Sequence, residues 1–201
     1  MLFSSKVGLK KDGTLNYLEI LTEMNQTAKD FFKKKGSLLD EVIEKIVGNL
    51  KRGKKILVFG NGGSAAQAQH FAAELVNKFL KERPALPAVS LTTDTSALTS
   101  IANDTDYSQV FCRQVQALGN KEDVAVGLST SGNSPSVIKA FQEAKNRGLM
   151  TVALTGRGGG KLAKIPDYLL DVPSTSTPRI QEVHLMVLHI MAQQIENRLS
   201  R

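Results

Sequence analysis

At 201 residues, 41 % apolar and 22 % charged, the chain has the make-up of a globular protein with a sizeable core, and no run approaching ~20 apolar residues suggests a membrane span. Its formal charge of +7 admits an anionic substrate or nucleic acid, but 5 % aromatic residues and no Trp leave no array of rings for stacking on single strands. A single cysteine, Cys112, excludes an intrachain disulfide, and Met1–Lys11 has no apolar core of signal-peptide type, so a cytoplasmic setting is expected, with neither membrane nor nucleic acid as partner.

In chain order, Leu15, Leu18, Leu21, Met24, Ala28 and Phe31-Phe32 recur at helical spacing and predict a first helix over 15–32. Leu38-Leu39, Val42, Ile46 and Leu50 predict a second over 37–50, with Ser37 as its candidate cap. The basic runs Lys33-Lys34-Lys35 and Lys51-Arg52-Gly53-Lys54-Lys55 close these patterns, where cations suit a helix C-terminus. From there strands alternate with helices. Short, nearly all-apolar runs at 55–59, 87–91, 123–128, 150–155 and 168–172 read as strands buried on both faces. Helical segments fall at 64–81, at 95–118 with a break, and at 134–147, before a long last helix over 178–199. This order predicts an α/β fold, a doubly wound five-stranded parallel sheet with long N- and C-terminal helices. One domain is expected over 1–201, a helical segment of 1–53 leading into the α/β core and last helix of 54–201. The run Gly156-Arg157-Gly158-Gly159-Gly160 reads as a turn after the fourth strand. The long end helices exceed what one small sheet needs for cover, which points to oligomer packing.

Two loops carry the chemistry. Gly60-Asn61-Gly62-Gly63-Ser64 follows the first strand, and Ser129-Thr130-Ser131-Gly132-Asn133-Ser134 follows the third. Small and hydroxyl-bearing residues where a strand meets a helix aim N–H groups, hydroxyls and the positive end of the helix dipole at one point. Such loops on neighbouring strands build a pocket for a phosphorylated, hydroxyl-rich ligand. The first loop has neither the glycine spacing of a dinucleotide fingerprint nor the Lys of a P-loop, so no nucleotide cofactor is expected. Taken alone it is equally a tight turn with Ser64 as helix cap. His70 and Glu74, four apart on the following helix, share one face as a half-site for a divalent metal, an acid/base pair or a plain surface pair. His184 and His189 lie on the last helix, downstream of Gln181; His184 reads as structural or supporting.

These residues in colinear order, with Asn103-Asp104 and the run Arg179-Ile180-Gln181-Glu182-Val183-His184, resemble the phosphoheptose isomerases of the sugar-isomerase (SIS) superfamily over roughly 15–199. The resemblance implies a flavodoxin-like SIS fold and conversion of sedoheptulose 7-phosphate to D-glycero-D-manno-heptose 7-phosphate through an enediol, for heptose and glycan precursors. It implies that Ser129, Thr130, Ser131 and Ser134 hold the phosphate, and that Asn61, Gly62, Gly63, Ser64, Asn103, Asp104 and Gln181 contact the sugar. It implies one Zn2+ per subunit on His70, Glu74, Gln181 and His189, with Glu74 and His189 as the acid/base pair. It also implies a homotetramer with sites shared between subunits. Pro178 stands where some relatives place an acidic residue, which leaves that substrate contact open. Gln181 and His189 are eight residues apart, roughly 12 Å along an ideal helix and about 80° around it, which strains joint ligation. Two rivals remain: a non-catalytic SIS protein that binds a replication initiator, and an isomerase of another ketose phosphate.

Overall fold

The two helices predicted at the N-terminus are one. In the computed structural model, which describes residues 13–200, helix α1 runs unbroken over Tyr17–Lys51, 35 residues. Residues 1–12, which include the Met1–Lys11 segment, and residue 201 lie outside the described residues. Asn16 caps the helix, its Oδ1 accepting from the Glu19 N–H at 3.4 Å and its Nδ2 donating to Glu19 Oε1 at 2.7 Å. The buried stripe Ala28, Phe31, Leu39, Val42, Ile43, Ile46, Val47 and Leu50 passes straight through Gly36. Ser37 is therefore mid-helix and caps nothing. Continuity is cooperative: the stripe packs on the sheet and the last helix, which outweighs the ~1 kcal/mol that one glycine costs. Gly53, at φ +76°, ends the element in the left-handed conformation that glycine adopts freely. A Cβ at Gly36 meets nothing within 4 Å. Gly36→Ala is expected to raise stability by about 0.5–1 kcal/mol in urea unfolding, by restricting the unfolded chain and favouring the helix.

The strands are β1 (Ile56–Gly60), β2 (Ala88–Ser90), β3 (Val124–Ser129), β4 (Met150–Thr155) and β5 (Tyr168–Asp171). They form one parallel sheet in the order β2-β1-β3-β4-β5, as the alternation predicted. Side chains alternate across it. Ile56, Val58, Val126, Leu128, Val152 and Leu154 meet α1, α2 (Gly63–Val76) and α6 (Thr177–Leu199) on one face. Leu57, Phe59, Ala125 and Ala153 meet α4 (Val110–Leu118) and α5 (Pro135–Asn146) on the other. The predicted break in 95–118 is real: α3 (Thr95–Asp104) and a 3-10 turn (Tyr107–Gln109) precede α4. From β1 the chain winds outward to β2, then returns past β1 to β3 and winds the other way. The crevice between the C-terminal ends of β1 and β3 is the topological switch point, where ligands of such sheets bind.

Helix α2 stops at Val76, five residues short of its predicted end. The sequence beyond it is helical in pattern, but its backbone groups are claimed elsewhere. The Arg83 guanidinium donates to the carbonyls of Glu74 (2.7 Å), Leu75 (2.8 Å) and Pro84 (3.0 Å). Glu196, on α6, accepts from the N–H groups of Phe79, Leu80 and Lys81 at 2.6–2.9 Å.

Candidate active site

Both loops open on the switch point. Asn61, Ser64, Leu128, Ser129, Thr130, Ser131, Ser134 and Gln181 line a cavity of about 200 Å3. None of these side chains carries a formal charge, so an anion held there depends on hydroxyls, N–H groups and helix dipoles. The helix starts are left available for this. The cap of α2 is Gly62, at φ +57°, with no side-chain capping bond; Ser64 is a buried residue of the first turn and not the cap the sequence suggested. The cap of α5 is Ser134, but its hydroxyl makes no capping bond either. Instead Asn61 Nδ2 donates to Ser134 Oγ at 2.7 Å and to Ser136 Oγ at 3.0 Å, joining the two loops. The Tyr107 hydroxyl in turn donates to Asn61 Oδ1 at 2.9 Å.

The glycines of the site are there for contact. A Cβ at Gly63 falls 2.6 Å from Gln181 Nε2, so only a bare backbone lets the α6 side chain lie across the first loop. The Gln181 carbonyl accepts from Gln67 Nε2 at 2.7 Å, fastening α6 to α2. Gly132, at φ +64°, tolerates no Cβ, which falls 2.0 Å from the Gly159 carbonyl oxygen. The glycine run after β4 thus does more than turn. The Gly156 N–H donates to the Thr130 carbonyl, that of Leu162 to the Gly132 carbonyl, and that of Lys161 to Asn133 Oδ1, each at 3.0 Å. It buttresses the serine loop from behind.

Two turns along α2, where it faces α6, the titratable residues gather. His70 and His189 share a hydrogen bond, Nε2 to Nε2, at 2.8 Å, and Glu74 Oε1 lies 3.4 Å from His70 Nε2. The Phe79 ring packs on that of His189, centroids 5.7 Å apart. A zinc ion binds histidine nitrogens at about 2.0–2.1 Å, so two such ligands in a tetrahedral set stand about 3.4 Å apart. The donor types suit zinc, and the two rings need to part by about half an ångström to accept it. As they stand the two histidines are hydrogen-bonded to each other with Glu74 beside His70, and no group of three His, Cys, Asp or Glu among the described residues is arranged as a metal site. Gln181, expected in the same ligand set, lines the serine cavity instead. Eight residues of helix separate it from His189. Asn103 and Asp104 are not brought to the cavity wall either. They are exposed at the C-terminal end of α3, where Asn103 Nδ2 donates to Asp104 Oδ1 at 2.9 Å.

His184 is structural, one of the two roles read for it. It is fully buried, its Nε2–H donating to the Thr155 carbonyl at 3.1 Å. Burial pushes its pKa from 6.5 down to about 4, against the partial opposition of that bond. The unfolded chain takes up this proton as pH falls below 6.5, whereas the folded chain does so only near 4. Stability is therefore full above pH 6.5 and falls through that window, by roughly 3 kcal/mol from this group. His184→Gln, which keeps a donor for Thr155, is expected to flatten the loss in urea unfolding across that range. An unchanged pH slope would refute the assignment.

Tyr107, Ser136, the buttress and the buried Arg83 and Glu196, paired at 3.3 Å, had no mark in the sequence, since each acts through partners distant along the chain.

An uncharged, hydroxyl-lined cavity at the switch point of a parallel sheet, with a histidine and a carboxylate on the helix leading from it and a second histidine reaching them from α6, fits an α/β enzyme of the sugar-phosphate-binding class. The family model described as SIS domain matches residues 19–156. The phosphoheptose isomerase of Desulfovibrio desulfuricans is 57 % identical over 163 residues, 81 % of this chain and 78 % of that protein. That of Helicobacter pylori strain P12 is 53 % identical over 163 residues, 81 % and 85 % of the two chains. The solved phosphoheptose isomerase of Neisseria gonorrhoeae superposes with a TM-score of 0.85 at 44 % identity, covering 90 % of this chain and 97 % of that one. The chain belongs to the phosphoheptose isomerase family of SIS-domain proteins and is an aldose–ketose isomerase of a sugar phosphate.

Proposed function

We propose that the chain interconverts sedoheptulose 7-phosphate and D-glycero-D-manno-heptose 7-phosphate through an enediol, supplying heptose for glycan precursors. The observation that carries this reading is the pairing of the uncapped, hydroxyl-lined cavity with the His70–Glu74–His189 cluster, in which His70 and Glu74 lie on the helix that starts at the cavity and His189 reaches them from α6. From Gly63, His70 lies about 10 Å along the axis of α2, a separation suited to a long-chain sugar phosphate rather than a triose phosphate. Ser129, Thr130, Ser131 and Ser134 hold the phosphate with the N-termini of α2 and α5. Asn61, Gly62, Gly63, Ser64 and Gln181 contact the sugar chain nearest the phosphate, and Asn103 and Asp104 serve its other hydroxyls. Glu74 takes a proton from C1 of the ketose and returns it to C2. His189 gives a proton to the C2 oxygen and takes one from the C1 hydroxyl, while His70 holds its ring in place. The same His70, Glu74 and His189 donors would hold one Zn2+ per subunit, with Gln181 joining only by leaving Gly63. When bound, the ion supplies positive charge that stabilises the enediolate oxygens. The reaction is redox-neutral within the substrate and needs no nucleotide cofactor.

The subunits assemble as a homotetramer with shared sites in this reading. Its support is the exposed stripe of Leu15, Tyr17, Leu18 and Leu21 at the start of α1, and an apolar groove lined by Ala66, Gln67, His70, Leu185 and His189 beside the histidine pair. No described helix is long and apolar enough to cross a membrane, and the cytoplasm is the proposed setting. The relatives named above are isomerases, and nothing among them supports a binding-only role. Incubation with sedoheptulose 7-phosphate, with and without chelator, followed by NMR, tests the reading. Heptose 7-phosphate that disappears with chelator and returns with zinc supports both reaction and metal. Turnover of a hexulose phosphate in preference to the heptulose would overturn the substrate, and no turnover by metal-loaded protein would overturn the reaction.

A further inference from the structure

The Tyr107 side chain is 57 % exposed, and its 3-10 turn contains no buried residue, so it contributes little to the core. Its hydroxyl is nevertheless placed, donating to Asn61 Oδ1 at 2.9 Å. The turn that carries it is tied to the helix of the serine loop. Asp106 accepts from the Ser108 N–H at 2.6 Å and pairs with Lys139 of α5 at 3.8 Å. The polarity of this network matters more than its strength. An Asn amide can face either way, but a phenol donates more readily than a serine hydroxyl. With Tyr107 donating to Oδ1, the amide must point Nδ2 at Ser134 and Ser136. Both serine oxygens then accept, at 2.7 and 3.0 Å, and with the Ser136 hydroxyl donating across the 3.3 Å between the two oxygens, the Ser134 hydroxyl hydrogen is left to point into the cavity. A flipped amide reverses this: Oδ1 draws the serine hydrogens to itself, and Ser134 turns lone pairs on an incoming anion.

We propose that Tyr107 is a positioning residue that fixes the orientation of the Asn61 amide and thereby makes Ser134 a hydrogen-bond donor to the substrate phosphate. The inference rests on reading the serine cavity as the phosphate site. Tyr107→Phe removes the hydroxyl alone. It is expected to weaken inorganic phosphate binding, measured by calorimetry, about fivefold, the effect of one neutral hydrogen bond. The KM for sedoheptulose 7-phosphate rises in step, while kcat and the melting temperature stay at wild-type values. In an Asn61→Ala background the same change adds nothing, because the residue through which it acts is gone. Equal phosphate affinity of wild type and Tyr107→Phe overturns the role of Tyr107 while leaving the phosphate site standing. So does a lowered melting temperature with KM unchanged, or a full additional loss in the Asn61→Ala background. Wild-type protein that binds no inorganic phosphate overturns the phosphate site itself, and the inference with it.

Discussion

Glu74→Gln lowers kcat by about 10^3-fold, within the range of about 10^2–10^4 that a positioned general base contributes, and leaves the melting temperature unchanged. The substitution keeps the side chain's length and shape on α2, and Glu74 is not part of the core, so folding does not depend on its charge. What it removes is the carboxylate beside the His70–His189 pair, 3.4 Å from His70 Nε2. An amide accepts a hydrogen bond but not a proton from carbon. Exchange of the C1 hydrogen with deuterated solvent is the sharper readout, because it reports proton removal apart from product release. The variant is expected to lose turnover and exchange together. Near-full turnover in a folded Glu74→Gln protein would show that another group is the base. The zinc content of the same variant reads the second role separately: a loss of bound metal assigns Glu74 as a ligand as well.

Glu196→Gln is expected to cost about 3–5 kcal/mol of stability, the range found when one partner of a buried ion pair is removed. Arg83 and Glu196 are each 1 % exposed in their side chains and 3.3 Å apart, Nε to Oε2. Burial alone raises the Glu196 pKa, but the N–H groups of Phe79, Leu80 and Lys81 and the Arg83 charge outweigh it and hold it below 4.5. A depressed carboxylate stabilises the fold above the unfolded-state pKa, so this contribution is lost as pH falls below 4.5. The glutamine turns a donor toward groups that are themselves donors and leaves the guanidinium without its counter-charge. The damage reaches the site by two short routes. Arg83 holds the Glu74 and Leu75 carbonyls at the end of α2, and the segment that Glu196 fastens carries Phe79, whose ring packs on His189. The unfolding midpoint in urea measures the first effect, and kcat under conditions where the variant is still folded measures the second. A midpoint within experimental error of wild type would exclude the pair as a structural latch.

The extent to which these features were legible beforehand follows from the range over which each is decided. The sheet could be read strand by strand, because burial on both faces writes an unbroken apolar run into each strand. Alternation with helices then permits little besides a parallel arrangement. Both loops were legible for a related reason: their small and hydroxyl residues adjoin strand ends in the sequence, and strand ends are where such sheets bind ligands. The divided first helix was misread because Gly36-Ser37 has the local chemistry of a break, whereas the buried stripe from Ala28 to Leu50 lies on one face and packs as one surface. The overlong α2 was misread for the opposite reason. Its helical pattern continues past Val76, but Arg83 and Glu196 claim the backbone there.

By itself, then, the sequence determined the α/β class, the two small-residue loops at the strand ends and the helix that carries His70 and Glu74, all set by residues within a few positions of one another. Only the tertiary structure decided which of the distant residues meet. It brought His189 against His70 across 119 positions, set Gln181 in the serine cavity, left Asn103 and Asp104 outside that cavity's wall, and laid Gly159 against Gly132. Local pattern reports the backbone's preferences, but side chains far apart in the chain meet only once the packed faces of the sheet fix where each helix lies.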